Sequence, residues 1–185
     1  MRWLVPALCL VAACGPVDLV VVDVPDAGDL PSQMGAACSD NDGCLAGQFC
    51  SKASCSETVG TCVPRPPVVA TCSDDFRPEC DCDGVQYFND CYRRYAGAAA
   101  NQARGFCAPL LCDANTPCPD GASCAQVIRP NECGRAVSGM CWVVPSTSCM
   151  TMEHFFACGN ATQCLDFCSA VRAGTPMARF PGPCL

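Results

Sequence analysis

The chain begins with an apolar segment and continues with an acidic one. Residues 1–13 combine one arginine with a short apolar run that ends in small residues, which is typical of a secretory signal peptide. The run is too short to span a bilayer as a permanent helix. Residues 15–37 contain four aspartates and no basic residue, and prolines and glycines interrupt any regular element. We therefore predict an acidic tether over residues 14–37, which holds the folded part away from a surface.

A turn, a strand and a helix are predicted to follow one another in the middle of the chain. Asp83-Gly84 is a strong turn signal, because glycine accepts a positive φ without a Cβ clash. Residues 85–88 favour a short strand. Asn89 can cap a helix over residues 91–96, which weakens at Gly97. One hairpin and one helix bury too little apolar surface to fold alone, so cross-links must contribute.

Cysteine is unusually abundant, with 22 residues in 185. Cys9 lies in the apolar leader and Cys14 directly follows it, which leaves twenty from Cys38 to Cys184. At this density in an exported chain, a disulfide framework is the expected state. We therefore predict an oxidising compartment outside the cytoplasm and no free thiol among the twenty.

The twenty cysteines form two sets of ten with related spacing. In both sets the first three are spaced by six and six residues and the last two by sixteen. This internal repeat predicts two tandem modules, residues 38–107 and 112–185, joined by a linker at 108–111. The second copy is degenerate, since it lacks the Asp-Gly turn, the Tyr and the Asn of the first. Its Cys164 is displaced along the chain relative to Cys82.

The stretch from residue 72 to residue 107 resembles the Kazal family of serine-protease inhibitors. The matching features, in order, are Cys72, Pro78 two residues before Cys80, Asp83-Gly84, Tyr87, Asn89, Cys91 and the ending Gly105-Phe106-Cys107. Two features depart from the family: the helix cysteine is missing where Tyr92 to Tyr95 stand, and Cys82 is additional. The resemblance implies a small disulfide-rich α+β fold, in which each module ends in a short antiparallel sheet plus one helix. The degenerate second copy would occupy residues 149–184.

The resemblance also implies two disulfides, Cys72–Cys91 and Cys80–Cys107. Five cysteines then remain upstream together with Cys82, and five is an odd number, so Cys82 must bond to one of them if all are oxidised. The spacing does not identify that partner. The candidates are Cys38, Cys44, Cys50, Cys55 and Cys62. In the second copy the corresponding disulfide cysteines are Cys149, Cys158, Cys168 and Cys184.

In the Kazal family, the loop between the second and third family cysteines enters the active site of a protease. In this chain that loop lies between Cys72 and Cys80. The corresponding candidates here are Ser73, Asp74, Asp75, Phe76, Arg77 and Pro78. The resemblance places Asp74 at the primary specificity position, with Asn89 and Tyr87 supporting the loop. A buried carboxylate needs a cationic partner. The implied partner is therefore an extracellular serine protease that prefers acidic residues. Thr151, the matching residue of the second copy, indicates no clear specificity.

A second function remains open from the sequence. Kazal-like folds also occur as non-inhibitory structural or adhesive modules in extracellular proteins. The acidic pair Asp74-Asp75 and the degenerate second copy favour that interpretation. The loop length, Pro78 and Asn89 favour inhibition, and the fold alone does not decide between the two.

The end of the leader, Val11-Ala12-Ala13-Cys14, resembles the bacterial lipobox. That resemblance implies lipid on Cys14 after cleavage, and hence a cell-envelope lipoprotein with contact to a membrane only through its anchor. The alternative is an ordinary signal peptide and a secreted protein, with Cys14 unmodified.

Several other classes of function are not expected. The formal net charge of −7 and the lack of a basic patch argue against nucleic-acid binding. Cys80 with Cys82, or Cys164 with Cys168, could supply thiolates to zinc, but export and an even count favour disulfides. His154 is the single histidine, and no nucleophile motif accompanies it. We expect no enzyme activity, no cofactor and no metal site.

Overall fold

The structure, a computed structural model, describes residues 34–100, 107–149 and 153–179. The predicted signal peptide, Cys14 and most of the predicted tether lie outside these ranges, as do Thr151 and Cys184. The described residues form short strands and two α-helices. In chain order these are β1 (Ala37–Cys38), β2 (Gln48–Ser51), β3 (Gly60–Pro64), β4 (Glu79–Cys80), β5 (Gln86–Tyr87), α1 (Asp90–Ala96), β6 (Leu111–Cys112), β7 (Ser123–Ala125), β8 (Val127–Ile128), β9 (Gly139–Val143), β10 (His154–Ala157), β11 (Asn160–Asp166), α2 (Phe167–Arg172) and β12 (Met177–Arg179).

The first sheet is antiparallel, in the order β1-β3-β2. Two disulfides, Cys38–Cys50 and Cys44–Cys62, cross-link this small element, which has little apolar core of its own. Ala37 pairs with Thr61, and the Cys62 N–H donates to the Ala36 oxygen at 2.9 Å. The predicted tether therefore ends earlier than residue 37, because these last residues complete the sheet.

The second sheet has five strands, which come from both sides of residue 107. The parts of the chain before and after this residue are called the first and the second half. Its order is β4-β5-β9-β6, with β7 also paired to β9. Strand β5 runs parallel to β9, with Gln86 opposite Trp142. Residues 108–111, predicted as a linker, are packed into this region: the Leu110 N–H donates to the Gly84 oxygen at 2.9 Å, and Leu111 lies in β6. Gly84 is required there, since an added Cβ would lie 2.4 Å from the Ala108 oxygen.

The third sheet and the second helix complete the C-terminal half. The sheet order is β11-β10-β12-β8, with β12 and β8 parallel. Helix α2 packs against strands of this sheet and against β7. A hairpin followed by a helix thus occurs in both halves: β4-β5 with α1, and β10-β11 with α2.

A single apolar core joins the two halves. It contains Tyr87, Phe88 and Tyr92 from the first half, and residues of the second half such as Trp142, Phe155, Phe167, Val171 and Met177. All described residues belong to one compact unit. Neither hairpin with its helix buries enough surface alone, so the two share one core instead of forming separate ones.

Helix α1 follows the local rules of its sequence. The Asn89 side chain caps it by accepting from the Cys91 and Tyr92 N–H groups, and Asp90 lies in the first turn. Gly97 ends the helix at φ 74°, in the left-handed region that favours glycine. The predicted helix and its glycine stop are confirmed.

Three disulfide patterns recur in both halves. Cys112–Cys124 and Cys118–Cys141 repeat the two bonds of the first sheet, and Cys149–Cys168 repeats Cys72–Cys91. The structure also has the bond Cys80–Cys107. These bonds cross-link each half in the same local way.

The remaining pairings differ between the halves. Cys82 bonds to Cys55, which links the first sheet to the 72–107 stretch. In the second half Cys133 bonds to Cys158, so Cys158 has the role of Cys82 and not that of Cys80. The reason lies in the turns, because Cys158 directly precedes the β10–β11 turn at Gly159 as Cys82 precedes the turn at Gly84. Cys164 is also disulfide-bonded.

Candidate functional site

The candidate loop lies between two disulfide-bonded cysteines, Cys72 and Cys80. Every residue from Ser73 to Glu79 is exposed, whereas Cys80 is buried. Bonds to Cys91, in helix α1, and to Cys107 fasten the two ends. The loop therefore projects into solvent from a cross-linked base, which restricts the positions of its ends.

Asn89 fastens the loop to the start of helix α1. Its side-chain nitrogen donates to the Ser73 carbonyl oxygen at 2.8 Å and to the Asp75 carbonyl oxygen at 3.0 Å. Its side-chain oxygen accepts from the Cys91 N–H at 3.0 Å and from the Tyr92 N–H at 3.3 Å. The side chain is buried and uses both ends of its amide. The two carbonyls that it binds stand on either side of Asp74.

The second part of the loop is held by main-chain and ring contacts. The Arg77 N–H donates to the Phe88 carbonyl oxygen at 3.1 Å. The Phe76 ring, although 42% of the residue is exposed, lies 5.2 Å from the Phe88 ring between centroids. It also lies 5.6 Å from the Phe167 ring. These contacts leave Asp74 and Asp75 at the outer part of the loop.

The charged side chains of the loop are exposed. Arg77 and Asp75 approach to 4.0 Å, but both side chains are mostly exposed, so the pair adds little stability. Burial, and secondarily the Asp74 carboxylate, raises the pKa of Tyr92.

Tyr87 supports the hairpin turn instead of contacting the loop directly. Its hydroxyl donates to the Asp81 carboxylate at 2.9 Å, and that carboxylate also accepts from the Asp83 and Val85 N–H groups. Burial and the neighbouring Asp81 charge raise the pKa of Tyr87 well above its usual range. The predicted role of Tyr87 is therefore indirect: it fixes the turn of the hairpin whose first strand ends the loop.

Asp166 occupies, in the second half, the position that Asn89 has in the first. Each residue stands two positions before a helix cysteine, Cys91 or Cys168, and each caps its helix. Asp166 accepts from the Ser169 N–H at 3.0 Å and from the Cys149 N–H at 3.2 Å. Alignment of the two cysteine sets could have identified this residue, since the spacing to the helix cysteine is the same.

Other groups considered from the sequence have structural partners. Cys80, Cys82, Cys164 and Cys168 are all disulfide-bonded, which leaves no thiolate on them for a metal. His154 begins strand β10, opposite Asp166. The described part of the chain contains no helix with the length and apolar character needed to cross a bilayer. The number of disulfides indicates an oxidising environment outside the cytoplasm.

Trp142 and Phe167 are contacts of the loop that sequence reasoning missed. They lie far from residue 76 along the chain, and no local pattern marks them as neighbours of the loop.

No family model, no curated protein and no solved structure matches the chain. The interpretation of the loop therefore depends on the residues themselves and on the geometry described above.

Proposed function

We propose that the protein is a Kazal-like inhibitor of an extracellular serine protease, and that residues 73–78 are its contact loop. The observation that carries this proposal is the pair of hydrogen bonds from Asn89 to the Ser73 and Asp75 carbonyl oxygens. They support the main chain on both sides of Asp74, the residue that would enter the specificity pocket. An inhibitory loop requires support at that place.

The physical advantage of this arrangement is entropic. A loop already held in one conformation loses little freedom when it binds, so more of its contact energy contributes to affinity. Here the support consists of disulfides at both ends, the Asn89 bonds in the middle and the Arg77 N–H bond beyond them. The exposed residues between these supports remain accessible to a protease.

Asp74 would set the specificity of such an inhibitor. Its carboxylate must leave water to enter a pocket, and only a pocket that supplies Lys, Arg or protonated His can offset that desolvation. We therefore infer that the target cleaves after Asp or Glu. An acidic or purely apolar pocket would reject Asp74.

The competing function is a structural or adhesive extracellular module. It is favoured by the adjacent carboxylates of Asp74 and Asp75 and by the presence of Asp166 at the position in the second half that corresponds to Asn89. In that case the loop would be rigid but would have no protease partner.

Exchange of the specificity residue distinguishes the two functions. Asp74→Lys should move inhibition to trypsin-like enzymes, whose pockets are acidic, and Asp74→Leu should move it to enzymes with apolar pockets. Folding should remain intact, because position 74 is exposed. Asp120→Lys is the matched control, since it makes the same change of charge at another exposed position. The measurement is a panel of inhibition constants against acid-specific, tryptic and subtilisin-like proteases.

The proposal requires that at least one of these proteins inhibit. If correctly disulfide-bonded wild type inhibits no acid-specific protease, and Asp74→Lys inhibits no trypsin-like protease, the loop is not inhibitory. The structural or adhesive function would then be preferred.

We further propose that the mature protein is attached to the cell envelope through lipid on Cys14, on the basis of Val11-Ala12-Ala13-Cys14. Intact-mass measurement of the mature protein tests this. An unmodified Cys14, or cleavage at another position, would indicate a secreted protein instead.

A further inference from the structure

The Phe76 side chain of the loop lies among aromatic rings from both halves of the chain. Phe88 belongs to the first half, whereas Trp142 and Phe167 belong to the second. The Phe76 and Trp142 rings are stacked, with an interplanar angle of 21° and centroids 6.3 Å apart. Trp142 and Phe167 are in edge contact at 5.0 Å. Among the described residues, the second half thus supplies two of the three rings that contact the Phe76 ring.

The main-chain hydrogen bonds next to the loop also involve both halves of the chain. The Arg77 N–H of the loop donates to the Phe88 oxygen, and the Phe88 N–H donates to the Val143 oxygen at 3.0 Å. Val143 belongs to strand β9, which runs parallel to β5 and also carries Trp142. Strand β9 therefore supports the loop in two ways: through the Trp142 side chain, and through two successive main-chain hydrogen bonds that pass by Phe88.

We propose that the second half of the chain is a positioning element for the loop, and that Trp142 is the positioning residue. This proposal rests on the proposed function only in assigning a protease as the partner of the loop. The second half then serves the contact loop of the first half.

The physical reason is the freedom of the segment after Asp75. Asn89 holds the main chain as far as the Asp75 carbonyl. Beyond it, the Arg77 N–H donates to the Phe88 oxygen, and the Phe76 ring packs against the Phe88, Trp142 and Phe167 rings. Removal of the Trp142 ring takes away the stacked neighbour of Phe76 and leaves the ring more rotational freedom. The contribution of an aromatic pair to stability corresponds to a change of roughly two- to tenfold in an equilibrium constant.

A double-mutant cycle on the full chain tests this relationship. The variants are Trp142→Leu, Phe76→Ala and their combination. Phe155→Leu is the control, because it removes a ring of the same core whose contact is with Phe167. The first measurement is the hydrogen-exchange rate of the Arg77 amide by NMR, which needs no protease. The second is the inhibition constant against a protease that cleaves after acidic residues.

We expect Trp142→Leu to accelerate Arg77 exchange and to raise the inhibition constant by roughly two- to tenfold. In the Phe76→Ala background it should have little further effect on either measurement, because the ring on which it acts is gone. Phe155→Leu should change both much less. Unchanged Arg77 exchange in folded Trp142→Leu, or fully additive effects, would refute the positioning role. Absence of inhibition by the wild type would refute only the proposed function, since the exchange measurement still tests the position of the loop.

Discussion

Asn89 and Asp166 cap equivalent helices, but they interact with the preceding loops in opposite ways. Asn89 donates to the carbonyl oxygens of Ser73 and Asp75, whereas Asp166 accepts from the Cys149 N–H. An ionised carboxylate has no donor, so it cannot bind loop carbonyls as an amide does. Asp166 therefore cannot donate to loop carbonyls as Asn89 does to those of Ser73 and Asp75.

The variant Asn89→Asp converts the first capping residue into the second. It should keep helix α1, because the carboxylate can still accept from the Cys91 and Tyr92 N–H groups. It should lose both bonds to the loop, and the inhibition constant should rise roughly tenfold or more. Circular dichroism and inhibition constants are the measurements. Undiminished inhibition would show that the Asn89 bonds do not hold the loop.

Asp166 should make the stability of the protein sensitive to acid. Burial by itself would raise the pKa of Asp166, but hydrogen bonds from Ser169 and Cys149, together with the charge of Arg172, hold the pKa below its usual value. The unfolded-state pKa is about 3.9, so the carboxylate stabilises the fold above that pH. This contribution is lost as the pH falls through the lower folded-state pKa.

The variant Asp166→Asn tests that assignment. Its free energy of unfolding should fall less than that of the wild type between about pH 5 and about pH 2. Denaturant unfolding across this range is the measurement. Parallel curves for the two proteins would show that Asp166 does not contribute to the acid dependence.

The disulfide Cys55–Cys82 should react with a mild reductant before the buried disulfide Cys44–Cys62. Both of its cysteines are exposed, whereas cysteines such as Cys62 and Cys141 are completely buried. Thiol–disulfide exchange requires access of the attacking thiolate to a sulfur atom. Alkylation followed by peptide mapping should therefore find Cys55 and Cys82 labelled before Cys44–Cys62 opens. Earlier labelling of a buried pair would contradict this order.

The Tyr87 hydroxyl should contribute to the stability of the hairpin turn. Tyr87→Phe removes the donor to the buried Asp81 carboxylate, and the lost bond should cost about 1–3 kcal/mol of unfolding free energy. The wild type should also lose stability as the pH rises above about 10, because the folded-state pKa of Tyr87 is raised above the unfolded one. Tyr87→Phe should lose less in that range. Equal stability of both proteins at neutral pH would contradict the proposed role of the bond.

The local elements of the candidate site were predictable from the sequence. The Asp83-Gly84 turn, the Asn89 cap and the Gly97 helix stop each depend on residues only a few positions apart, and all three are present. The odd number of upstream cysteines also required a bond from Cys82 to that segment, and the structure has Cys55 as its partner. Local conformational preference was sufficient for the turn, the cap and the stop, whereas the count for Cys82 also needed the two disulfides that the resemblance implied, Cys72–Cys91 and Cys80–Cys107.

The sequence by itself determined the cysteine-rich framework and the turn–strand–helix succession, because these follow from cysteine number and local backbone preference, whereas the contact loop was expected only from the resemblance to the Kazal family. Only the tertiary structure decided that both halves share one core, that Cys158 bonds to Cys133, and that Trp142 lies beside Phe76. Contacts of this kind join residues far apart along the chain. The contact between Trp142 and Phe76, for example, arises from the burial of apolar rings. Because the hydrophobic effect is non-directional, a ring can pack against any apolar neighbour, and the local sequence does not show which one.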